Sequence, residues 1–290
     1  MITAKKPRPI VRYHGGKWML APWIISHLPP HRCYVEPFGG GGSVLLRKVR
    51  TYAEVYNDLD GEIVNLFAVA RDRGDELRAA VELTPFARDE FNISYLPSAD
   101  PLEQARRTLA RGFMGFGSAA ACGEVSGFRA NSSRSGTTPA LDWRNYPAAL
   151  VLTIQRLQGV VIENRDGLKV MAQHDAPETL HYVDPPYVHS TRSSRTRTTD
   201  NRKSYRFELT DEQHRDLAGF LRGLKGMVVL SGYPSALYDE LFADWKMIER
   251  PAHADGARPR TECLWLNRAA EAALDKARPQ GNLTLSEAAA

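Results

Sequence analysis

Short β-prone runs alternate with segments of helical periodicity along most of the chain, and no other feature of the sequence limits its fold as strongly. The predicted strands are 33–38, 53–58, 160–164, 180–184, 226–232, 245–250 and 261–267. The predicted helices between them are 42–49, 60–72, 210–223 and 235–243. This alternation is typical of an α/β fold with a mostly parallel sheet and helices on both faces. Because no helix separates the last two strands, we expect the sheet to end in an antiparallel pair.

Residues 74–158 interrupt the alternation. Helical periodicity at 74–83, 87–96 and 101–114 is followed by a stretch rich in Gly, Ser and Thr at 115–143. A long loop of this kind in a compact domain is usually functional or disordered. We therefore predict that residues 1–73 and 159–268 form the two parts of the core. Residues 74–158 are predicted to be a mostly helical insertion between these parts, and residues 269–290 a flexible tail.

Composition argues against membrane-spanning and secreted proteins. No apolar run approaches the ~20 residues that a spanning helix needs, and the N-terminus lacks the apolar segment of a signal peptide. Three scattered cysteines (Cys33, Cys122 and Cys263) and histidines without metal-ligand spacing predict reduced thiols and no metal site. We expect a cytoplasmic protein that is a monomer or a weak dimer.

Four consecutive glycines join a predicted strand to a predicted helix in VEPFGGGGSVLL, residues 35–46. Glycines in such a loop permit positive φ angles and let a ligand approach the backbone. No Lys-Ser/Thr pair follows them, which argues against a phosphate-binding P-loop. Glu36 precedes them, and an acid at this place repels phosphate but suits a cation. Asp58 ends the next strand, where folds of this kind place a carboxylate against ribose hydroxyls. Its alternative role, capping the next helix, is already well served by Asp60.

These features favour a ligand that carries a ribose and a positive charge but no pyrophosphate. S-Adenosylmethionine, whose reactive centre is a sulfonium, is such a ligand, and we expect Gly40 and Gly42 of the loop to contact it. Lys17 follows two glycines at the start of a predicted helix in YHGGKWMLAPWI, residues 13–24. A lysine there is unfavourable to the helix dipole, so we predict that Lys17 and the helix amides hold an anion such as the methionine carboxylate. An ordinary surface lysine is the alternative.

The segment HYVDPPYVHS, residues 181–190, ends an apolar strand with Asp184, Pro185, Pro186 and Tyr187. The exocyclic amine of adenine or cytosine is a poor nucleophile because its lone pair is delocalised into the ring. Prolines fix φ and lack an N–H, so the Pro185 carbonyl is free to accept one amine hydrogen while Asp184 accepts the other. The Tyr187 ring offers a face for base stacking, worth ~1–3 kcal/mol against the few kcal/mol that base flipping costs. A proline-rich turn capped by Asp184 is the alternative.

The stretch that follows is strongly basic. Between residues 188 and 206 six basic side chains stand against a single acid, Asp200, for a net charge of +5, whereas the rest of the chain sums to −1. Charge runs are often solvated loops, but this one adjoins the predicted site and suits a polyanion. The predicted DNA contacts are Arg192, Arg195, Arg197, Arg202 and Lys203, with Arg129 and Arg134 from the insertion.

Five motifs, in this order, resemble the DNA adenine methyltransferases of the Dam type: YHGGK (13–17), VEPFGGGGSV (35–44), NDLD (57–60), DPPY (184–187) and, more loosely, RTECLWLN (260–267). The resemblance implies a Rossmann-like methyltransferase sheet with a target-recognition region inserted at about 75–158. It implies that a bacterial or phage-encoded enzyme binds double-stranded DNA, and that S-adenosylmethionine contacts Tyr13, Lys17, Phe38, Asp58 and Asp184. Many relatives carry tryptophan in place of Tyr13, and the four glycines after Phe38 predict a looser loop.

Two sets of alternatives stay open at this point. In VVIENRDGLKVM, residues 160–171, Asn164 and Asp166 fit a position near the adenine ring of the cofactor, but Asp166 fits a helix cap equally well. The favoured function is methylation of adenine N6 in duplex DNA. The same motifs also suit an amine of cytosine or RNA, or a nucleic-acid-binding protein that does not catalyse.

Overall fold

The computed structural model describes residues 8–117, 119–123, 125–131, 136–191, 207–254 and 258–277. In these ranges seven strands form one sheet, in the order β3-β2-β1-β4-β5-β7-β6. The strands are β1 Cys33–Glu36, β2 Ala53–Asn57, β3 Val161–Glu163, β4 Thr179–Val183, β5 Met227–Gly232, β6 Lys246–Ala254 and β7 Arg258–Leu266. Strands β1 to β5 are parallel, and β7 runs antiparallel to both β5 and β6. The predicted parallel sheet with an antiparallel end is confirmed.

Helices cover both faces of this sheet, as predicted. They are α1 Ala21–Ser26, α2 Ser43–Arg47, α3 Gly61–Asp72, α4 Gly74–Leu83, α5 Arg88–Ile93, α6 Pro101–Met114, α7 Pro139–Leu157, α8 Gly167–Gln173, α9 Asp211–Arg222, α10 Ala236–Leu241 and α11 Arg268–Ala277. In the described part of the chain, none has the length and apolar character needed to cross a membrane.

Neighbouring residues on the central strands point to opposite faces, because side chains alternate along a strand. On one face Tyr34 of β1 and Tyr182 of β4 belong to the same buried cluster as Phe67 of α3. On the other face Val35 and Val183, one residue further along the same strands, pack in a second cluster with α8 and α9. The sheet therefore has a hydrophobic core on each side.

The insertion packs as helices against α3 rather than as a separate unit. Helix α6 contacts α3, and α4 contacts α7. The loop predicted at 115–143 is wrong at its end, because helix α7 begins at Pro139. Thr138 caps this helix by accepting the Leu141 N–H at 3.3 Å, and Pro139 occupies its first turn. Its Trp143 and Tyr146 are buried in the shared core, so packing favours a helix that the local Ser- and Thr-rich composition did not indicate.

The flexible tail predicted at 269–290 is wrong for its first part. Residues Arg268–Ala277 form helix α11, which contacts β5 and β7. Ala270 is fully buried, and Ala273 and Leu274 pack against the main core. Residues 278–290 lie outside the described part of the chain. The alanine-rich composition of this segment suggested a low-complexity tail. Alanine, however, has the highest helix propensity, and its small side chain allows a helix to pack closely against the core.

Acidification is expected to destabilise the fold through His181 of β4. The ring is fully buried, its nitrogens lack hydrogen-bond partners among the described residues, and Asp175 Oδ1 lies 3.6 Å from Nε2. Burial lowers the His181 pKa from 6.5 to about 4. The unfolded chain therefore binds the proton more tightly between these values, so stability is lost as the pH falls from 6.5 towards 4.

His181→Leu, which cannot titrate, is the comparison for this effect. Between pH 7 and pH 5 the free energy of unfolding of the wild type should fall by roughly 2 kcal/mol more than that of the variant. Urea unfolding at both pH values measures the difference. Parallel losses in the two proteins would show that His181 is not responsible.

Candidate active site

The carboxyl ends of β1, β2 and β4 meet at one cleft of about 820 Å³, including space open to solvent. Ligands of open α/β sheets bind at this end of the strands. Of the predicted site residues, the structure brings together Tyr13, Lys17, Glu36, Phe38, Gly40, Asp58, Asp184, Pro185 and Pro186. It adds Tyr182, Phe207 and Leu209, which the motifs did not single out. Phe207 and Leu209 follow the basic stretch of the sequence, where no local pattern signals a site.

The glycine loop is packed tightly between two aromatic rings. A Cβ built on Gly39 would lie 2.2 Å from the Tyr56 ring, and one on Gly40 would lie 2.7 Å from the Tyr13 ring. Gly40 also has a φ of 47°, in the left-handed region that favours glycine. Tyr56 is held in place because its hydroxyl donates to the Gly40 carbonyl at 2.7 Å. The looser loop expected from four glycines is therefore wrong.

Glu36, at the end of β1, lies below the loop and is 3% exposed. Its Oε2 accepts the Tyr34 hydroxyl at 2.8 Å and the Leu45 N–H at 3.0 Å. Burial raises the pKa of this carboxyl to about 8, although both hydrogen bonds lower it. A positive charge in the cleft would favour the ionised form, as expected for a site that suits a cation.

Asp58 follows β2 and is fixed by two backbone amides. Its Oδ2 accepts the Gly40 N–H at 2.8 Å and its Oδ1 accepts the Asp60 N–H at 2.8 Å. Burial raises its pKa to about 6. Asp60 caps α3 by accepting the Glu62 N–H at 3.0 Å, which confirms the cap predicted for it. Asp58 is therefore left to face the cleft.

Asp184, directly after β4, has a partner on each oxygen. Oδ1 accepts the Ser231 hydroxyl at 2.7 Å, and Oδ2 lies 3.0 Å from the Lys17 ammonium. Ser231 itself lies 3.2 Å from the Tyr182 hydroxyl. A carboxylate has about four acceptor sites, so these contacts orient Asp184 and leave it able to accept another hydrogen.

Lys17 is not at a helix start, and this part of the prediction is wrong. Helix α1 begins at Ala21, and the Lys17 carbonyl accepts the N–H groups of Leu20 and Ala21 in the turn before it. The Lys17 ammonium donates to the Gly15 carbonyl at 3.0 Å and lies between Asp184 and the ring of Tyr187. The observed partner of the ammonium is therefore a protein carboxylate; Lys17 also lines the cleft, and its contact with the ligand carboxylate stays a prediction.

Comparison with known proteins adds the family to this geometry. Residues 13–253, most of the chain, match the family described as D12 class N6 adenine-specific DNA methyltransferase. The chain belongs to this family.

Similar curated proteins carry related names. The chain is 38% identical over 90 residues to the DNA adenine methylase of Serratia marcescens, covering 31% of this chain and 32% of that protein. It is 36% identical over 112 residues to the DNA adenine methylase of Escherichia coli (strain K12), covering 35% of this chain and 38% of that protein. It is 26% identical over 261 residues to the Type II methyltransferase M1.LlaDCHI of Lactococcus lactis subsp. cremoris, covering 83% and 86%. The match to the two adenine methylases thus spans about a third of their length.

In this D12-class chain Tyr187, the last residue of the DPPY motif, lies beside the cleft rather than in its wall. The Lys17 ammonium is 4.6 Å from the centre of its ring, and the ring of Tyr233 meets it edge-on at 4.6 Å. Its hydroxyl donates to Glu262 of β7. Glu262 was not predicted as a site residue; its only sequence signal was its place in the loosely matching RTECLWLN motif.

Three other predicted residues are not part of the cleft lining. Gly42 has a φ of 59° and is the N-cap residue directly before α2, and a Cβ there would meet the Phe67 ring at 2.8 Å. Asp166 accepts the Lys169 N–H at 3.1 Å, so the helix-cap alternative is the one observed. Arg129 is 8% exposed and donates to the Phe113 carbonyl at 3.0 Å, an internal contact in place of the predicted DNA contact.

The remaining predicted DNA contacts lie outside the described residues. They are Arg134, Arg192, Arg195, Arg197, Arg202 and Lys203. In the ranges that are described, no group of three or more His, Cys, Asp or Glu side chains could hold a metal ion.

Proposed function

We propose that the chain transfers a methyl group from S-adenosylmethionine to N6 of adenine in double-stranded DNA. The observation that carries the proposal is that Asp184 of the DPPY motif opens into the same cleft as the glycine loop and Asp58. Membership of the D12 class supports the target atom and the nucleic acid. The insertion at 74–158 is proposed to read the target sequence.

The cleft suits the proposed cofactor in shape and charge. Asp58, held by two amides, can accept hydrogen bonds from ribose hydroxyls, while Tyr13 and Phe38 supply apolar walls. Glu36 and Asp58 make the cleft attractive to a cation, and the glycines allow close approach to the backbone. When bound, S-adenosylmethionine would supply a methyl group on positively charged sulfur.

Asp184 and Pro185 are proposed to prepare the target amine. The carboxylate accepts one amine hydrogen and the Pro185 carbonyl accepts the other, which draws the nitrogen towards tetrahedral geometry and directs its lone pair into the cleft. Ser231 and Lys17 hold the carboxylate in position for this contact. Such positioning can lower the barrier by ~7–11 kcal/mol, so it contributes more than base stacking on Tyr187.

Sequencing modified bases in DNA from methylation-deficient cells that express the chain tests the proposal. N6-methyladenine at one recurrent sequence is the expected result. Methylated cytosine would mean that the chain methylates the exocyclic amine of cytosine instead of adenine. Cofactor binding without any modified base would mean that the chain is a binding protein that does not catalyse. Either outcome would overturn adenine methylation.

Cofactor binding should strengthen as the pH rises from 6 to 8. The pKa values of Asp58, about 6, and Glu36, about 8, place their ionisation in this interval, and each ionised carboxyl attracts the sulfonium. S-Adenosylhomocysteine, which has the same groups but a neutral sulfur, is the matched control. The ratio of the two affinities should shift by roughly tenfold in favour of the methyl donor, at ~1.4 kcal/mol per pKa unit. Calorimetry at each pH measures it; a constant ratio would remove these acids from the cation site.

DNA binding should weaken steeply with salt if the basic side chains of residues 188–206 contact phosphates. Five phosphate contacts predict a slope of about −4.5 in log K against log salt, a loss of roughly 500-fold between 50 and 200 mM. Fluorescence anisotropy with a labelled duplex measures the slope. Replacing Arg195 and Arg197 by alanine should make the slope less negative by about 2, and an unchanged slope would exclude these side chains from the DNA site.

A further inference from the structure

Glu262 lies behind the DPPY motif on a strand that reaches the site from the far end of the chain. It is 2% exposed on β7, whose neighbour β5 carries Ser231, the partner of Asp184. Its carboxylate accepts the Tyr187 hydroxyl and lies 4.0 Å from the Lys17 ammonium. One buried acid thus contacts Tyr187 of the DPPY motif and lies close to Lys17, a partner of Asp184.

The orientation of the Tyr187 ring depends on contacts with its side chain. Consecutive prolines fix the backbone before it but leave the side-chain torsions free. Tyr233 limits one edge of the ring, and the Lys17 ammonium is 4.6 Å from its centre. The hydrogen bond at the far tip of the ring, to a buried acceptor on the sheet, restrains the remaining rotation.

Burying an acid is costly unless partners compensate it. Desolvation raises the pKa of Glu262 to about 7, whereas Lys17 and the Tyr187 hydroxyl oppose this rise. A leucine of similar size would fill the same space without that cost, so stability alone does not explain the acid.

From these contacts we infer that Glu262 is a positioning residue for methyl transfer, which holds the Tyr187 ring in place by accepting its hydroxyl. This inference rests on the proposed function. Glu262 lines no part of the cleft and acts through Tyr187.

A double-mutant cycle tests the inference. Glu262→Ala should lower kcat about 30-fold and change KM for DNA less than about threefold, because the chemistry loses alignment while binding persists. Glu262→Gln keeps an acceptor for the hydroxyl and should stay within about fivefold of the wild-type kcat. In a Tyr187→Phe background, which has already lost the hydroxyl, Glu262→Ala should cost less than about threefold.

Glu249→Ala is the matched control, since Glu249 is an exposed acid on the neighbouring strand β6. It should leave kcat and the melting temperature unchanged. Equal losses from Glu262→Ala in both backgrounds, or a Glu262→Gln as impaired as Glu262→Ala, would overturn the inference.

The wild type in the same assay separates this inference from the proposed function. If the wild type methylates no adenine, the proposed function is wrong. The coupling between Glu262 and Tyr187 is then measured by the melting temperatures of the same variants instead of kcat. Non-additive shifts for Glu262→Ala and Tyr187→Phe then support the coupling, and additive shifts overturn it.

Discussion

Asp184→Ala should lower the rate of methyl transfer by roughly 1,000-fold or more, because both the acceptor for the amine and its alignment are lost. DNA affinity should change little, since the predicted phosphate contacts come from other segments. Tritiated methyl transfer to a duplex measures the rate, and anisotropy measures binding. A turnover within tenfold of the wild type would refute the catalytic assignment of Asp184.

Asp184→Asn removes the negative charge of the side chain but keeps its size and shape, so it tests the contribution of the charge alone. Asparagine keeps an oxygen that can accept the Ser231 hydroxyl, but it leaves Lys17 without its carboxylate at 3.0 Å. It should be nearly as inactive as the alanine variant if the charge aligns the amine. Asp216→Asn, on the exposed surface of α9, is the matched control and should retain wild-type activity.

Gly39→Ala should weaken binding of the methyl donor by roughly 100-fold, about 2.7 kcal/mol. The new methyl group would lie 2.2 Å from Tyr56, whose buried ring stacks on Phe67 at 4.1 Å and bonds the Gly40 carbonyl. Because the ring cannot yield, the loop must shift, and the cleft changes with it. Calorimetric titration of the cofactor, after thermal melting has established that the variant is folded, measures the effect.

Gly219→Ala provides the matched control for the loop variant. Gly219 lies in α9, and a Cβ there meets nothing within 4 Å. Alanine should stabilise this helix by up to ~1 kcal/mol and leave cofactor binding unchanged. If Gly39→Ala bound the cofactor as tightly as Gly219→Ala, the glycine loop would have no part in the cofactor site.

The residues that local sequence placed correctly share one property: each stands at the end of a helix or strand. Asp58 and Asp184 were expected because an acid directly after a buried strand lies at the carboxyl edge of the sheet. Asp60 was expected as a cap because capping depends on spacing of a few residues along the chain. The structure brings Asp58 and Asp184 to one cleft and confirms the cap of Asp60.

The errors share the opposite property. Lys17 was placed at a helix start from its local glycines, whereas it precedes α1 and pairs with Asp184, which is distant in sequence. Arg129 looked like a surface cation in a polar loop, yet it is buried against Phe113. Helices α7 and α11 were missed because contacts with the core stabilise segments whose own composition indicates a loop or tail.

From its amino-acid order alone, this chain specifies a parallel α/β sheet, a glycine turn and acids at strand ends, because strand periodicity, φ preferences and chain direction act over a few residues. Only the tertiary structure decides which side chains neutralise those acids and support Tyr187. Glu262 reaches that ring because β7 enters antiparallel beside β5, and no short-range rule predicts a contact created by the order of strands in a sheet.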